Sequence, residues 1–348
     1  MKCSIALALC VLFCGCASSN AHQRALCADL TSCHQLGAVV VIGDTGPAVQ
    51  LLQQAQAGAT RFEQHFGVPA PTVAIVTGGV VSAQLEQDIQ SAGIQAILPW
   101  ISAQDQKKLL EASIRKQVLA QTSGLSVEQQ EAMVQQALQS AGEQTSASLS
   151  QADNVQRGAL THELGHVWFK TVFEAAGQVL PKPGEQYGSG APDWLDEVAA
   201  VLLENETLRQ SRREALLQIG ASQLYALEQY LSMPHPSFAA ARTLAARFGA
   251  SEDAGNRAIV LTEEEAAQFL SDSEAGDPTV YYTQTQAFID FVSTYTSHAR
   301  VFADIADAMA GGATFAEWLE GQSTLPRSLP GLTDAWQAWL DARAKQRS

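Results

Sequence analysis

The first third of the chain alternates between short β-branched runs and longer helical patterns. Residues 38–44 (AVVVIGD) form a continuous apolar run beside glycine, which predicts a buried strand followed by a helix. Residues 71–79 repeat the strand pattern. Residues 94–100 predict a third strand, which we place at a sheet edge because Pro99 cannot donate a backbone hydrogen bond. We therefore expect a small sheet with at least one helix packed on it.

Beyond this sheet the pattern is mainly helical. Residues 102–142 are rich in Ala, Gln, Leu and Glu with a Ser-Gly break at 123–124, so they predict two helices. The serine-rich segment 145–154 predicts a loop. After Glu204 nearly all of the chain has a helical pattern. A small sheet followed by helices predicts an α+β architecture.

The N-terminal segment differs in composition from the rest. Lys2 precedes an apolar run that is too short to span a bilayer and that ends in FCGC at 13–16. This ending resembles the box of a bacterial lipoprotein signal, in which cleavage precedes the cysteine and a lipid is attached to it. On this interpretation residues 1–15 are the signal peptide, Cys16 carries the lipid and residues 16–36 are a polar tether. An ordinary cleaved signal with another cut site is the alternative.

A lipid on Cys16 would anchor the protein to the bacterial cell envelope. Ala17 follows it, and by resemblance to known lipoproteins a residue other than aspartate there is compatible with sorting to the outer membrane, facing the periplasm. Besides the lipid-bearing Cys16, only Cys27 and Cys33 would then remain in the mature chain. Their spacing allows a local disulfide in an oxidising compartment, and two free thiols are the alternative.

The net charge of the chain argues against one class of partner, and its length and apolar content are sufficient for a folded core. The chain has 348 residues, of which 46% are apolar, and a formal net charge of -15. Because the phosphate backbone repels an acidic surface, we do not expect nucleic acid as a partner. We divide the mature chain into residues 37–150, with the sheet and the first helices, and residues 151–348, which are helical.

A His-Glu-x-x-His motif lies at the start of this second region. On an α-helix His162 and His166 share one face, so their rings can converge on one cation. Glu163, about 100° round the helix from His162, can reach a water on the open side of that cation. The neighbouring apolar residues predict a buried helix, where unpaired imidazoles are costly. The motif therefore predicts a metal site rather than a polar surface.

Two histidines leave a zinc ion short of a third protein ligand. Our candidate is Glu197, because the apolar periodicity of 192–205 predicts a core helix on which a carboxylate needs a partner. Asp193 and Asp196 are the alternatives, and Glu204 is a more distant one. Asp193 also suits the first turn of the helix, where its charge favours the helix dipole.

The two segments together resemble a known family. The HELGH of 162–166 and the WLDEVA of 194–199 are similar to the motifs of gluzincin metallopeptidases, in particular the peptidase MA-like group related to the M1 aminopeptidases. The resemblance places the third ligand, the glutamate of a Trp-Leu-x-Glu-Gly-x-Ala motif, on Glu197. Here Val198 replaces the glycine and the spacer is longer. A zincin-type catalytic region that binds Zn²⁺ is thus implied for residues 151–348.

The resemblance extends to the segment VYYTQTQAFIDFV at 280–292. It places the family's tyrosine on Tyr282, with Tyr281 as the alternate, and its hydroxyl would donate a hydrogen bond to the oxyanion of a tetrahedral intermediate. A core tyrosine is the other interpretation. His235 lies between two prolines, which favours an exposed loop residue, and lining the cleft is the alternative.

The implied function is that of a zinc peptidase. Zn²⁺ held by His162, His166 and Glu197 would keep a position for water, Glu163 would act as general base, and Tyr282 would stabilise the oxyanion. The expected partners are a peptide or protein substrate and, through the lipid, a membrane. The alternatives are a catalytically silent zinc-binding lipoprotein with a scaffold or binding role, and hydrolysis of a non-peptide substrate.

Overall fold

The computed structural model describes most of the chain downstream of the N-terminal segment. The described residues are 27, 32–43, 45–94, 96–101, 103–176, 189–239 and 276–345. The predicted signal peptide, the predicted lipid site Cys16 and most of the predicted tether lie outside these residues. The architecture is α+β, as predicted, with a four-stranded sheet near the N-terminus followed by a mainly helical region.

The sheet has the order β1-β2-β3-β4. Its strands are β1 (Cys33–Leu36), β2 (Val39–Ile42), β3 (Val73–Thr77) and β4 (Ala96–Trp100). Strands β1 and β2 pair antiparallel, whereas β3 is parallel to both of its neighbours. The three predicted strands are confirmed, and β4, with the exposed Pro99, lies at an edge as expected.

Strand β1 was missed, because residues 16–36 were predicted to be a polar tether. Its side chains are only partly buried and its sequence, CHQL, has no strong apolar pattern. The strand forms because it pairs with β2, where Cys33 lies opposite Ile42. Cys33 is also joined to Cys27 by a disulfide with an S–S distance of 2.05 Å.

The helices occupy most of the remaining described chain. They are α1 (Thr45–Phe66), α2 (Ala83–Ser91), α3 (Ala103–Gln121), α4 (Val127–Ala176), α5 (Asp193–Leu203), α6 (Glu206–Ile219), α7 (Leu227–Tyr230), α8 (Pro278–Tyr295), α9 (Val301–Ala310), α10 (Phe315–Glu320) and α11 (Leu329–Lys345), with a short 3-10 helix at Ala221–Gln223. In the described part of the chain, none of these helices is long and apolar enough to cross a membrane.

Helix α4 corrects one prediction. The break at 123–124 between α3 and α4 is present, but the serine-rich segment 145–154, predicted to be a loop, is helical within the 50 residues of α4. Serine disfavours a helix only weakly, and the segment contains neither glycine nor proline. The helical pattern on both sides therefore continues through it.

The chain forms two compact units. The first comprises Met1–Gln56 and Thr72–Lys116, and the second comprises Ala57–Pro71 and Gln117–Ser348. In the first unit, alternate residues of β2 and β3 pack with Ile89 and Ile94 in a buried apolar cluster. The metal motif and all the other site residues of the sequence analysis, apart from the cysteines, belong to the second unit.

Helix α5 lies at the centre of the second unit and packs against α4, α8 and α9. All eleven of its residues are buried. Gly165 of α4 lets the two helices approach closely, since a Cβ added there would lie 2.6 Å from the Cα of Ala200. The approach brings the face of α4 that carries the histidines against a fully buried helix that carries three carboxylates.

Candidate metal centre

Three side chains from α4 and α5 bring their donor atoms together. The Nε2 atoms of His162 and His166 are 3.2 Å apart. Glu197 Oε1 lies 3.6 Å from Nε2 of His162, and its Oε2 lies 3.6 Å from Nε2 of His166. A tetrahedral ion with bonds of about 2.0–2.1 Å has ligand atoms roughly 3.3 Å apart. The buried group of His162, His166 and Glu197 could therefore hold a metal ion.

The electrostatics of Glu197 favour a cation at this place. Glu197 is completely buried, and neither of its carboxylate oxygens accepts a hydrogen bond of good geometry. Burial by itself would raise the pKa of the Glu197 carboxyl. The charge of His162, a contact from His235 and the charge of His166 instead lower this pKa to about 2. An ionised carboxylate in the interior needs a positive partner, because leaving a buried charge unpaired destabilises the folded protein by several kcal/mol.

His166 is oriented by Asp196. Its Nδ1 donates a short hydrogen bond to the Asp196 carboxylate, which leaves Nε2 facing His162 and Glu197. Burial would lower the pKa of His166, but the charge and hydrogen bond of Asp196, together with the charge of Glu197, raise it to about 9. Asp196 was considered from sequence as an alternative metal ligand. In the structure it binds Nδ1 of His166, the ring nitrogen that faces away from Glu197.

His162 is oriented by Glu204 in the same manner. Its Nδ1 lies 2.9 Å from Oε1 of Glu204, which is buried at the C-terminal end of α5. Glu204 also accepts hydrogen bonds from Nε of Arg212, at 2.7 Å, and from Nη2 of the same guanidinium. Carboxylates that hold the far nitrogen of a metal-binding histidine fix both its tautomer and its direction. The sequence placed Glu204 only as a remote ligand candidate.

The ring of Tyr282 lies beside the imidazole of His162. Its ring centroid is 5.8 Å from that of His162, and the guanidinium of Arg212 lies 4.6 Å above the tyrosine ring. Burial and the charge of Glu197 raise the pKa of Tyr282 to about 12, in spite of opposing effects from Ser237 and Arg212. The hydroxyl therefore remains protonated at neutral pH and can donate a hydrogen bond.

Tyr281 points elsewhere. It is fully buried, and its ring packs against Tyr230 and His235 at centroid distances of 5.2 Å and 4.9 Å. Burial raises the pKa of Tyr281 as well. Among the described residues its hydroxyl has no hydrogen-bond partner. Of the two tyrosines considered from sequence, Tyr282 is the one whose ring contacts His162.

Glu163 is half-buried on α4, directly after His162. Its negative charge is the smallest of the effects that raise the pKa of His166, after those of Asp196 and Glu197, and the smallest of those that raise the pKa of Tyr282, after burial and Glu197. The role of Glu163 as general base stays a prediction.

His235 corrects a prediction, because it is completely buried rather than exposed. Its backbone N–H donates to Oδ2 of Asp193 at 2.7 Å, and its Nε2 lies 3.4 Å from Oε2 of Glu197. The flanking prolines suggested a solvent-exposed turn. Instead the segment after α7 is tied to the first turn of α5, a contact between residues 42 positions apart that no local pattern indicates.

Comparison of the chain with protein-family models, with curated protein sequences and with solved structures found no match. The resemblance to gluzincin peptidases thus depends on the motif residues and on the chemistry of the side chains around them.

We expect Glu204→Gln to weaken binding of Zn²⁺, used as the probe ion, by about 10–100-fold. The glutamine removes the charge that faces His162 and the ion pair with Arg212, so the imidazole is held less firmly. Competition with a chromophoric chelator measures the affinity. Glu206→Gln is the control, since Glu206 pairs with Arg213 at 2.6 Å and its side chain is 72% exposed. Equal affinities of the two variants would contradict an orienting role for Glu204.

Proposed function

We propose that this protein is a zinc-dependent metallopeptidase of the gluzincin type. The observation that carries the proposal is the completely buried Glu197 carboxylate, whose oxygens lie 3.6 Å from the Nε2 atoms of two imidazoles. The donor set of two nitrogens and one carboxylate is the one that catalytic zinc sites use when they keep a position for water. The Nδ1 atom of each imidazole is hydrogen-bonded to a buried carboxylate. Histidines that bind a metal through Nε2 usually have such a partner on the other ring nitrogen.

The chemistry follows from the residues at the centre. His162, His166 and Glu197 would hold the zinc ion, which would supply Lewis-acid activation of a water molecule. Glu163 would accept a proton from the attacking water and return it to the leaving amine. Tyr282 donates a hydrogen bond to the oxygen on which negative charge develops.

The surroundings of Tyr282 support this role. Arg212 covers one face of its ring and is itself fixed by two hydrogen bonds to Glu204. Glu204 in turn orients His162. The same buried carboxylate therefore positions a metal ligand and, through Arg212, the proposed oxyanion donor.

We further propose that the protein is attached to the bacterial cell envelope by a lipid on Cys16, on the periplasmic side of the outer membrane. The lipoprotein-like box at 13–16 supports this assignment. Such an anchor would bring the metallopeptidase to peptide or protein substrates near the membrane surface.

Glu163→Gln should retain the metal and lower peptide hydrolysis by about 10²–10⁴-fold, because the amide cannot accept the proton of the attacking water. Cleavage of a peptide library, read by mass spectrometry, together with zinc content per chain, measures both effects. Glu174→Gln is the matched control on the same helix, where Glu174 pairs with Lys170 at 4.0 Å. A wild-type protein that binds zinc but cleaves no peptide would favour the scaffold function, and full activity in Glu163→Gln would exclude Glu163 as base.

Tyr282→Phe should lower kcat by about 10²–10³-fold with little change in metal content, since it removes one hydrogen bond to the oxyanion. Steady-state kinetics on a peptide cleaved by the wild type measures this. Tyr281→Phe should have kcat close to that of the wild type, because the deleted hydroxyl has no partner in the described part of the protein. The reverse ranking of the two variants would assign the oxyanion contact to Tyr281.

Cys16→Ser should abolish incorporation of labelled palmitate when the gene is expressed in a bacterium with lipoprotein processing, because the acylated thiol is lost. Cys14→Ser is the control, since it leaves the acylated cysteine in place two residues further on. Autoradiography of the purified chain measures incorporation. Undiminished labelling of Cys16→Ser would show that this cysteine is not the lipid site.

A further inference from the structure

His235 is a buried imidazole that the proposed mechanism does not use. It is 0% exposed, and it reaches the centre from a segment that belongs to neither of the two motif helices. We infer that His235 is a positioning residue, whose Nε2–H faces the Glu197 carboxylate and holds it in the orientation that a metal ion requires. The inference rests on the proposed zinc centre and adds a third orienting partner to it.

The tautomer of His235 follows from one hydrogen bond. The backbone N–H of Ser237 donates to Nδ1 of His235 at 3.2 Å. A backbone N–H can only donate, so Nδ1 must be the unprotonated nitrogen of a neutral ring. The ring proton therefore resides on Nε2, the atom that lies 3.4 Å from Oε2 of Glu197.

The position of the ring is fixed from two further directions. Its backbone N–H is bound to Asp193, which lies one helical turn before Glu197 on α5. Its ring packs at centroid distances of 4.9 Å from Tyr281 and 5.3 Å from Tyr282. The segment that carries the imidazole is thus bound to the first turn of α5, the helix that carries the Glu197 carboxylate.

His235 acts on the carboxylate rather than as a ligand. The donor atoms that lie within 4.8 Å of one another belong to His162, His166 and Glu197, and His235 is outside that group. A distance of 3.4 Å is somewhat longer than the roughly 2.7–3.2 Å of a good N–H···O bond, but the protonated nitrogen is on the side of Oε2. A donor there restrains rotation of the carboxylate and favours its ionised form.

The pattern of the centre supports this assignment. His162 and His166 each have a carboxylate partner, Glu204 and Asp196, which accepts from the imidazole. For Glu197 the roles are exchanged, because the ligand is the carboxylate and the partner is the imidazole. Partners of this kind contribute about 10–100-fold in metal affinity.

The test compares zinc affinity in three variants of the full chain, measured by chelator competition without any substrate. His235→Phe fills the same space without a donor and should bind Zn²⁺ about 10–100-fold more weakly than the wild type. His235→Gln keeps a side-chain N–H and should recover most of the affinity. His298→Gln, which changes an exposed histidine bound to Asp304 at 3.1 Å, is the control and should match the wild type.

A second measurement uses the unaltered protein. The ¹⁵N shifts of the histidine side chains in the zinc-loaded wild type should show His235 with a bare Nδ1 and a protonated Nε2, the signal being assigned by its loss in His235→Gln. A protonated Nδ1 would overturn the inference. So would wild-type zinc affinity in a His235→Phe protein that circular dichroism shows to be folded. Failure of the wild type itself to bind zinc would instead overturn the proposed function, so the two failures are distinguishable.

Discussion

The carboxylate of Glu197, placed in the interior without a hydrogen bond of good geometry, is the constraint on which the rest of the centre depends. Negative charge in a medium of low polarity is costly unless positive charge or donors surround it. Around Glu197 the chain supplies two imidazole nitrogens at 3.6 Å and a third at 3.4 Å. These separations are longer than a good hydrogen bond, whereas a metal ion would bind the carboxylate and imidazole donors directly, and this is the physical reason to regard the group as a candidate metal centre.

Helix packing determines the distances within that group. Gly165, on the histidine-bearing helix, lies against the backbone of Ala200 on the helix that carries Glu197. Without a side chain at this contact the two helices approach closely enough for donor atoms from both to lie within 4.8 Å of one another. Because every residue of α5 is buried, the carboxylate has little room to leave this position. The packing of α4 against α5 therefore contributes to the core of the second unit and also sets the distances within the candidate metal centre.

The orienting residues connect the centre to the proposed catalytic groups. Glu204 binds both His162 and Arg212, and Arg212 covers the ring of Tyr282. Glu204 thus binds His162 directly and, through Arg212, restrains Tyr282, the proposed oxyanion donor. In the proposed peptidase such an arrangement would keep the reacting groups in place before substrate binds, which would reduce the reorganisation needed during the reaction. The same buried polar network would therefore serve the proposed chemistry as well as the fold.

The amino-acid sequence by itself determined the elements whose signal is local: strands β2, β3 and β4, the helix that presents His162 and His166 on one face, and the apolar periodicity that marked Glu197 as a buried carboxylate in need of a partner. Only the tertiary structure decided the features that depend on distant contacts. Strand β1 exists through its pairing with β2, and His235 is buried because it is bound to the start of α5. Asp196 and Glu204 orient histidines that lie 30 and 42 positions away along the chain. Periodicity reports which face of an element is buried, but it contains no information about which buried groups meet, because that depends on how separate elements pack in three dimensions.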